Sequence, residues 1–261
     1  MVWPRKNIHA EYTQPVLPRF FVPAAHAVDD VIELPDEEAA HLARVLRLSS
    51  GDAVRIFDGR GREWQAAVDA ATRNRVTLRI QHEVVPLPEP GVAITLGLAV
   101  LKGDKMDAVV RDAVMLGFAA VQPIVTARSE VSLASLERSD RHERWHRIAV
   151  SSAKQCGRAM VPVIAPPIAF DGPASLAHLP SPQFLLVEPG ASAAPVAVAG
   201  LDATAPAAAT LVIGPEGGWT PAEVEQCAHH AHPLTLGGLT LRADAAAVVA
   251  ATALLTRWKL I

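Results

Sequence analysis

Residues Leu211 to Glu225 read LVIGPEGGWTPAEVE. Leu211, Val212 and Ile213 form the apolar end of a strand, and Gly214, Pro215, Glu216, Gly217 and Gly218 leave no room for regular structure. Thr220, Pro221 and Glu223 then open a helix. Thr220 can cap the free amide of Glu223, Pro221 takes a first-turn position where no amide is needed, and Glu223 can reach back. The segment therefore predicts strand, glycine-rich loop and capped helix. In an open α/β sheet, ligands sit beyond the carboxyl ends of the strands, where such loops expose backbone amides. Glycine lets a ligand approach the main chain, and Gly217 is the position read here as bordering one. The loop alone also fits a plain connection between strand and helix. It is not a Walker loop, because no Lys-Ser or Lys-Thr pair follows, and it lacks the GxGxxG spacing of a dinucleotide site. Glu216 argues against a bare phosphate as ligand.

Around this stretch the sequence alternates strand and helix, which predicts a mostly parallel sheet. Strands are expected at Ile94–Val100, Val121–Val125, Gln183–Val187 and Pro233–Leu236, and helices at Asp104–Leu116, Ser139–Cys156 and Asp244–Leu255. Gly117 and Gly157 stop the first two helices. Ala191–Ala209 reads as loop with a short helix. Three loops then follow strands: Glu188–Gly190, Gly214–Gly218 and Gly237–Arg242. Parallel strands would open all three at one sheet edge, making a pocket of backbone and apolar groups suited to a mostly neutral, adenine-bearing ligand.

Upstream, Pro86, Pro88, Pro90 and Gly91 mark a stiff linker, and with it the clearest domain boundary. Before the linker the rhythm is short strands at Arg19–Val22, Val31–Leu34, Ala53–Asp58, Glu63–Asp69 and Arg75–Val85. One helix opens at Pro35 and Asp36, with Ala39, Leu42, Val45 and Leu46 at helical spacing. The expected organisation is an extension over 1–18, a small β-barrel over 19–85, the linker over 86–91 and an α/β domain over 92–261.

The overall charge of −3 does not announce a nucleic-acid binder, but its distribution does. From His41 to His82 eight arginines face four acids, whereas from Ala159 to Thr256 Arg242 is the one basic residue among seven acids. A basic front end that docks a polyanion fits this asymmetry, although arginines on strands also suit a solvated outer face. Cys156 and Cys227 lack metal-ligand spacing, so neither a zinc site nor a disulfide framework is expected, and no metal is. No apolar run is long enough for a membrane helix, and the first residues lack the apolar core of a signal peptide. The expected location is the cytoplasm.

A set of motifs in fixed order resembles one known family. They are Pro18-Arg19-Phe20-Phe21-Val22, His41-Leu42-Ala43-Arg44-Val45-Leu46-Arg47, Lys102-Gly103-Asp104-Lys105-Met106-Asp107, Leu116-Gly117, Gln155-Cys156-Gly157-Arg158, Ile213 to Gly218, and Leu236-Gly237 followed by Leu241-Arg242. The chain resembles the RsmE family of the SPOUT class, which methylates N3 of one uridine in 16S ribosomal RNA. The resemblance implies a SPOUT-type trefoil-knotted α/β methyltransferase domain preceded by a PUA-like RNA-binding β-barrel, and an obligate homodimer acting on the small ribosomal subunit. It implies S-adenosylmethionine held by Val187, Glu188, Pro189, Gly190, Ile213, Gly214, Pro215, Glu216, Gly217, Gly218, Leu236, Gly237 and Leu241. The chain departs from the family pattern at Lys154, Leu239, Asp244 and Ala245.

Uracil N3 is a weakly acidic imide between two carbonyls. A fixed cation that lowers its pKa and holds the oxygens would promote methylation. Arg242 follows a cofactor loop and is the candidate, its alternative being a helix-start or interface salt bridge. Arg19, His41, Arg44, Arg47, Lys102, Lys105, Arg128 and Arg158 are read as RNA-phosphate contacts, with a solvated surface as the alternative for each. Two other readings stay open: a SPOUT enzyme with a different RNA target, and a ribosome-assembly protein that binds RNA without catalysis.

Overall fold

The computed structural model describes residues 17–72, 75–191, 195–227 and 230–261. The chain divides into two compact units between Pro86 and Leu87.

The first unit contains β1 (Arg19–Phe21), β2 (Val31–Glu33), α1 (Asp36–Ala40), β3 (Ala53–Phe57), β4 (Glu63–Ala71) and β5 (Val76–Val84). They form one sheet in the order β1-β3-β4-β5-β2, with β1 parallel to β3 and the other pairs antiparallel. Strand alternation buries Trp64, Ala66 and Val68 on β4 and Val76, Leu78 and Ile80 on β5. Phe20, Leu42 and Ile56 complete that core. The helix differs from its sequence pattern. After Ala40 it widens into a π-helix, His41–Leu46, that ends on a left-handed Arg47. The wider turn keeps Ala39 and Leu42 inside but rotates Val45 and Leu46 outward, Val45 to 66% exposure.

The second unit contains β6 (Ala93–Ala99), α2 (Lys105–Met115), β7 (Ala120–Val125), α3 (Leu133–Glu137), α4 (Arg141–Cys156), β8 (Val163–Ile164), β9 (Ile168–Ala169), β10 (Gln183–Leu186), β11 (Val196–Ala197), β12 (Ala208–Ile213), α5 (Pro221–Cys227), β13 (His232–Thr235) and α6 (Ala243–Arg257). The sheet runs β11-β13-β10-β12-β6-β7-β8, with β9 also on β7, and every pair is parallel. Met106, Val109, Val110, Ala113 and Val114 form the buried stripe of α2. Helix α6 buries mostly alanines, which lets it lie close to α2 and β12. The short β8, β9, β11 and α3 lie outside the strand and helix pattern of the sequence.

From Leu87 on, the proline-rich stretch belongs to the second unit. Gly117 has φ +86°, and a Cβ there would lie 2.3 Å from Pro90 Cγ. Pro90 thus fills the space that glycine leaves at the end of α2.

Candidate active site

Strands β10, β12 and β13 are neighbours in the sheet and parallel, so the loops after them open at one edge. They enclose a cavity of about 260 Å³. Val187, Glu188 and Pro189 line it from the first loop. Ile213, Gly214, Pro215, Glu216 and Gly218 come from the second, and Leu236, Leu241 and Arg242 from the third. Of the residues expected to touch a cofactor, Gly190, Gly217 and Gly237 do not line it. Lys105, Leu186, Trp219, Thr235, Leu239, Thr240, Ala243 and Ala246 do, although none was read as cofactor-binding from the sequence. Trp219 adjoins the glycine motif, and Ala243 and Ala246 share one face of the first turns of α6. Those two positions were the available signals.

The loop after β12 is shaped by protein neighbours. A Cβ on Gly214 would sit 2.9 Å from Trp219 Nε1, because the indole folds back beneath the loop. Trp219 Nε1 donates to the Leu186 carbonyl at 2.9 Å, and its ring packs on Phe170. Gly218 has φ +69° and leaves space that a Cβ would contest with Glu188 Oε1 at 2.6 Å. Gly217 abuts Arg128, whose Cβ would be 3.2 Å from a Cβ on that glycine. Gly217, expected to border a ligand, does not line the cavity, and its missing side chain makes room for Arg128. The expected cap is present. Glu223 N donates to Thr220 Oγ1 at 3.2 Å, and Thr220 N donates to Glu223 Oε2 at 2.7 Å.

Charge is arranged on two sides of the cavity. Glu216 Oε1 accepts from Lys105 Nζ at 2.8 Å and from the Lys102 amide at 3.2 Å. Burial pushes the Glu216 carboxyl up, but the bonds from Lys105, its own amide and Lys102 outweigh this and hold it below its ordinary 4.5. The pair is thus intact at neutral pH and is lost only as pH falls through that lowered value. Arg242 stands at the N-terminus of α6 with its side chain 73% exposed and its Nε 3.5 Å from Asp244 Oδ1. It is a cation on the wall of the cavity, tethered weakly enough to turn towards a substrate. Burial, and then Glu223, push the Cys227 thiol up to about 11, away from the reactive thiolate form. Among the described residues no group of His, Cys, Asp and Glu could hold a metal ion. None of the described helices is long and apolar enough to cross a membrane.

Residues 88–255 match the family described as RNA methyltransferase domain, and residues 34–81 match the RNA methyltransferase PUA domain. A Synechocystis protein named ribosomal RNA small subunit methyltransferase E is 31% identical over 89% of this chain and 75% of its own. The chain belongs to the ribosomal RNA small subunit methyltransferase E family. A member of that family from Neisseria gonorrhoeae, bound to S-adenosyl methionine, is 30% identical, with a TM-score of 0.82 over 93% of this chain and 98% of its own. A Legionella pneumophila methyltransferase in complex with SAM gives 26% identity and a TM-score of 0.83 over 92% and 97%.

The cations expected to meet RNA in this member of the ribosomal RNA small subunit methyltransferase E family divide into four groups. His41, Arg44 and Arg47 lie exposed on or beside the π-helix, and neither arginine has an ion pair among the described residues. Lys102 is exposed and paired with Glu130 at 3.0 Å, a surface pair that an RNA phosphate can displace. Lys105 and Arg128 turn towards the loop after β12 instead. Arg19 and Arg158 are corrected to structural roles. Arg19 makes a two-pronged pair with Glu63 at 3.0 Å for each prong and stacks 4.5 Å over Phe57. Arg158, 8% exposed, grips Glu89 and donates to the Val114 and Phe118 carbonyls at 2.8 and 3.1 Å. Burial was not visible in the sequence, because nothing there marked Glu89 in the proline stretch as a partner. Arg158→Ala is expected to cost about 3 kcal/mol of stability, since it leaves Glu89 and two carbonyls unpaired. Urea unfolding measures this, and the salt dependence of RNA binding should not change.

Proposed function

We propose that the chain transfers a methyl group from S-adenosylmethionine to N3 of one uridine in 16S ribosomal RNA. The observation that carries this reading is the convergence of three loops on one cavity with Arg242 on its wall. The residues fit the cofactor. Val187, Ile213, Leu236 and Ala246 offer apolar surface for a purine, while Lys105, Glu188 and Glu216 offer both signs of charge for a zwitterionic tail. When bound, S-adenosylmethionine supplies an electrophilic sulfonium methyl. The chain's own part is to hold the uracil and make N3 nucleophilic. Arg242 hydrogen-bonds the carbonyl oxygens flanking N3 and lowers its pKa. The N3 proton then leaves to solvent, and the charge spreading onto O2 and O4 meets a fixed cation. N3 lies on the pairing edge of the base, so the target uridine must be unpaired or flipped out.

The first unit is the RNA anchor in this reading, through Arg44 and Arg47. Arg44→Ala with Arg47→Ala should weaken RNA binding and reduce the slope of log affinity against log salt by roughly one to two units. Cofactor affinity should stay at the wild-type value, as calorimetry would report. We further infer a knotted chain path, a homodimer and a cytoplasmic enzyme acting on the small subunit. Support for the dimer is the exposure of Leu239, at 84%, beside Leu241 on the rim of the site.

The reading is tested with small-subunit particles from a strain lacking the modification, incubated with the protein and methyl-labelled cofactor. Labelled 3-methyluridine is the expected product. Another labelled nucleoside would favour the different-target reading, to which the apolar Leu239 in the cavity wall lends some support. No label at all would favour an assembly protein.

A further inference from the structure

The turn after β7 is a second fastening for the cofactor loop. It is itself rigid: the Thr126 amide donates to Ser129 Oγ at 3.0 Å, and the Ser129 amide donates back to the Thr126 carbonyl at 3.1 Å. From this turn Arg128 Nη1 donates to two carbonyls of the loop after β12, Gly217 O at 2.9 Å and Trp219 O at 3.2 Å. The neighbouring Ala127 amide donates to Glu223 Oε1 at 3.0 Å, and Glu223, 7% exposed, uses its other oxygen to cap Thr220. Gly217 is shaped to receive the arginine stem, with Arg128 Cβ and Cδ 3.2 and 3.5 Å from where its own Cβ would be. Neither Arg128 nor Gly217 lines the cavity, whereas Glu216, Gly218 and Trp219 do.

The guanidinium therefore grips the backbone carbonyls on either side of Gly218, at Gly217 and Trp219, while the cavity is lined by Glu216, Gly218 and Trp219 of the same loop. We propose that Arg128 is a positioning residue of the methyl-transfer site, holding the Gly217 and Trp219 carbonyls outward so that Glu216, Gly218 and Trp219 are presented to the cofactor. This rests on the reading of the cavity as the S-adenosylmethionine site. It moves Arg128 from RNA contact to cofactor affinity. A charged donor shared by two carbonyls is hard to replace by water without loosening the loop, because both bonds originate from one fixed group.

The test uses the full chain carrying Arg128→Met, which keeps the stem against Gly217 and removes charge and donors, and Arg128→Lys, which keeps the charge but can reach one carbonyl at a time. The dissociation constant for S-adenosylmethionine should rise about ten-fold or more in Arg128→Met and less in Arg128→Lys. The same rise should appear in KM for the cofactor, while kcat at saturating cofactor stays near wild type. The salt slope of RNA binding should be unchanged. A general loss of stability would move the urea midpoint without this split between KM and kcat. An unchanged cofactor affinity in Arg128→Met overturns the proposal, as does a salt slope lowered by about one unit with cofactor affinity intact, the mark of a phosphate contact. If the wild-type protein itself fails to bind S-adenosylmethionine, the functional reading falls and this inference with it.

Discussion

Gly214→Val is expected to reduce the affinity for S-adenosylmethionine by roughly two orders of magnitude. The position has no spare volume. A Cβ would stand 2.9 Å from Trp219 Nε1, 3.0 Å from Cε2 and 3.2 Å from Cδ1. Valine adds two further methyl groups in the same direction. The indole cannot yield cheaply, because it is tied to the Leu186 carbonyl and packed against Phe170. Overfilling such a site costs about 1–3 kcal/mol, and the lost indole bond adds about 1 kcal/mol. Leu186 ends β10 and Trp219 borders the cavity, so displacing the indole disturbs two of the three loops together. Calorimetry with the cofactor reads the effect. Adding Trp219→Leu to Gly214→Val removes the obstructed ring and should recover part of the lost stability but little of the affinity. Wild-type affinity in a folded Gly214→Val protein would show that the indole is not part of the binding wall.

Arg242→Ala is expected to slow methyl transfer by about 10²–10³ at saturating RNA and cofactor, the size of losing one donor to developing negative charge. Both ligands should still bind with near-normal affinity, because the interaction strengthens mainly as N3 gives up its proton. The variant should also respond to pH differently. Without the cation, the imide keeps its ordinary acidity, so the single-turnover rate should climb further into the alkaline range than it does in wild type and narrow the gap. A fast Arg242→Ala, or a deficit that does not shrink with pH, would remove Arg242 from the chemistry and leave Lys105 as the other cation on the cavity wall.

The parts of the fold that depend on local rules were legible in the sequence. The capping box at Thr220 and Glu223, the helix stops at Gly117 and Gly157, and the three strands ending in loops all follow from short-range patterns. The convergence of those loops followed from the single added premise of parallel strands. Partners distant in sequence were not legible. Arg158 and Glu89 lie 69 residues apart, and Arg128 and Gly217 lie 89 apart, so each arginine looked like any surface cation. The π-turn at His41–Leu46 is a third case. Its hydrophobic spacing fits an ordinary helix, and only the packed structure decides which residues the widened turn carries outward. The neighbours of the loop glycines were likewise not legible: the protein groups nearest the missing side chains of Gly214, Gly217 and Gly218 are Trp219, Arg128 and Glu188, each from outside the glycine run.

If the proposed function is right, the cavity beyond β10, β12 and β13 holds S-adenosylmethionine. Amide hydrogen exchange of the full-length wild-type protein, with and without saturating cofactor, tests it without any substitution. Slowed exchange is expected in peptides covering 186–190, 213–219 and 235–243, with no change across 17–85. Protection centred elsewhere, or binding with no protection in the three loops, would contradict it.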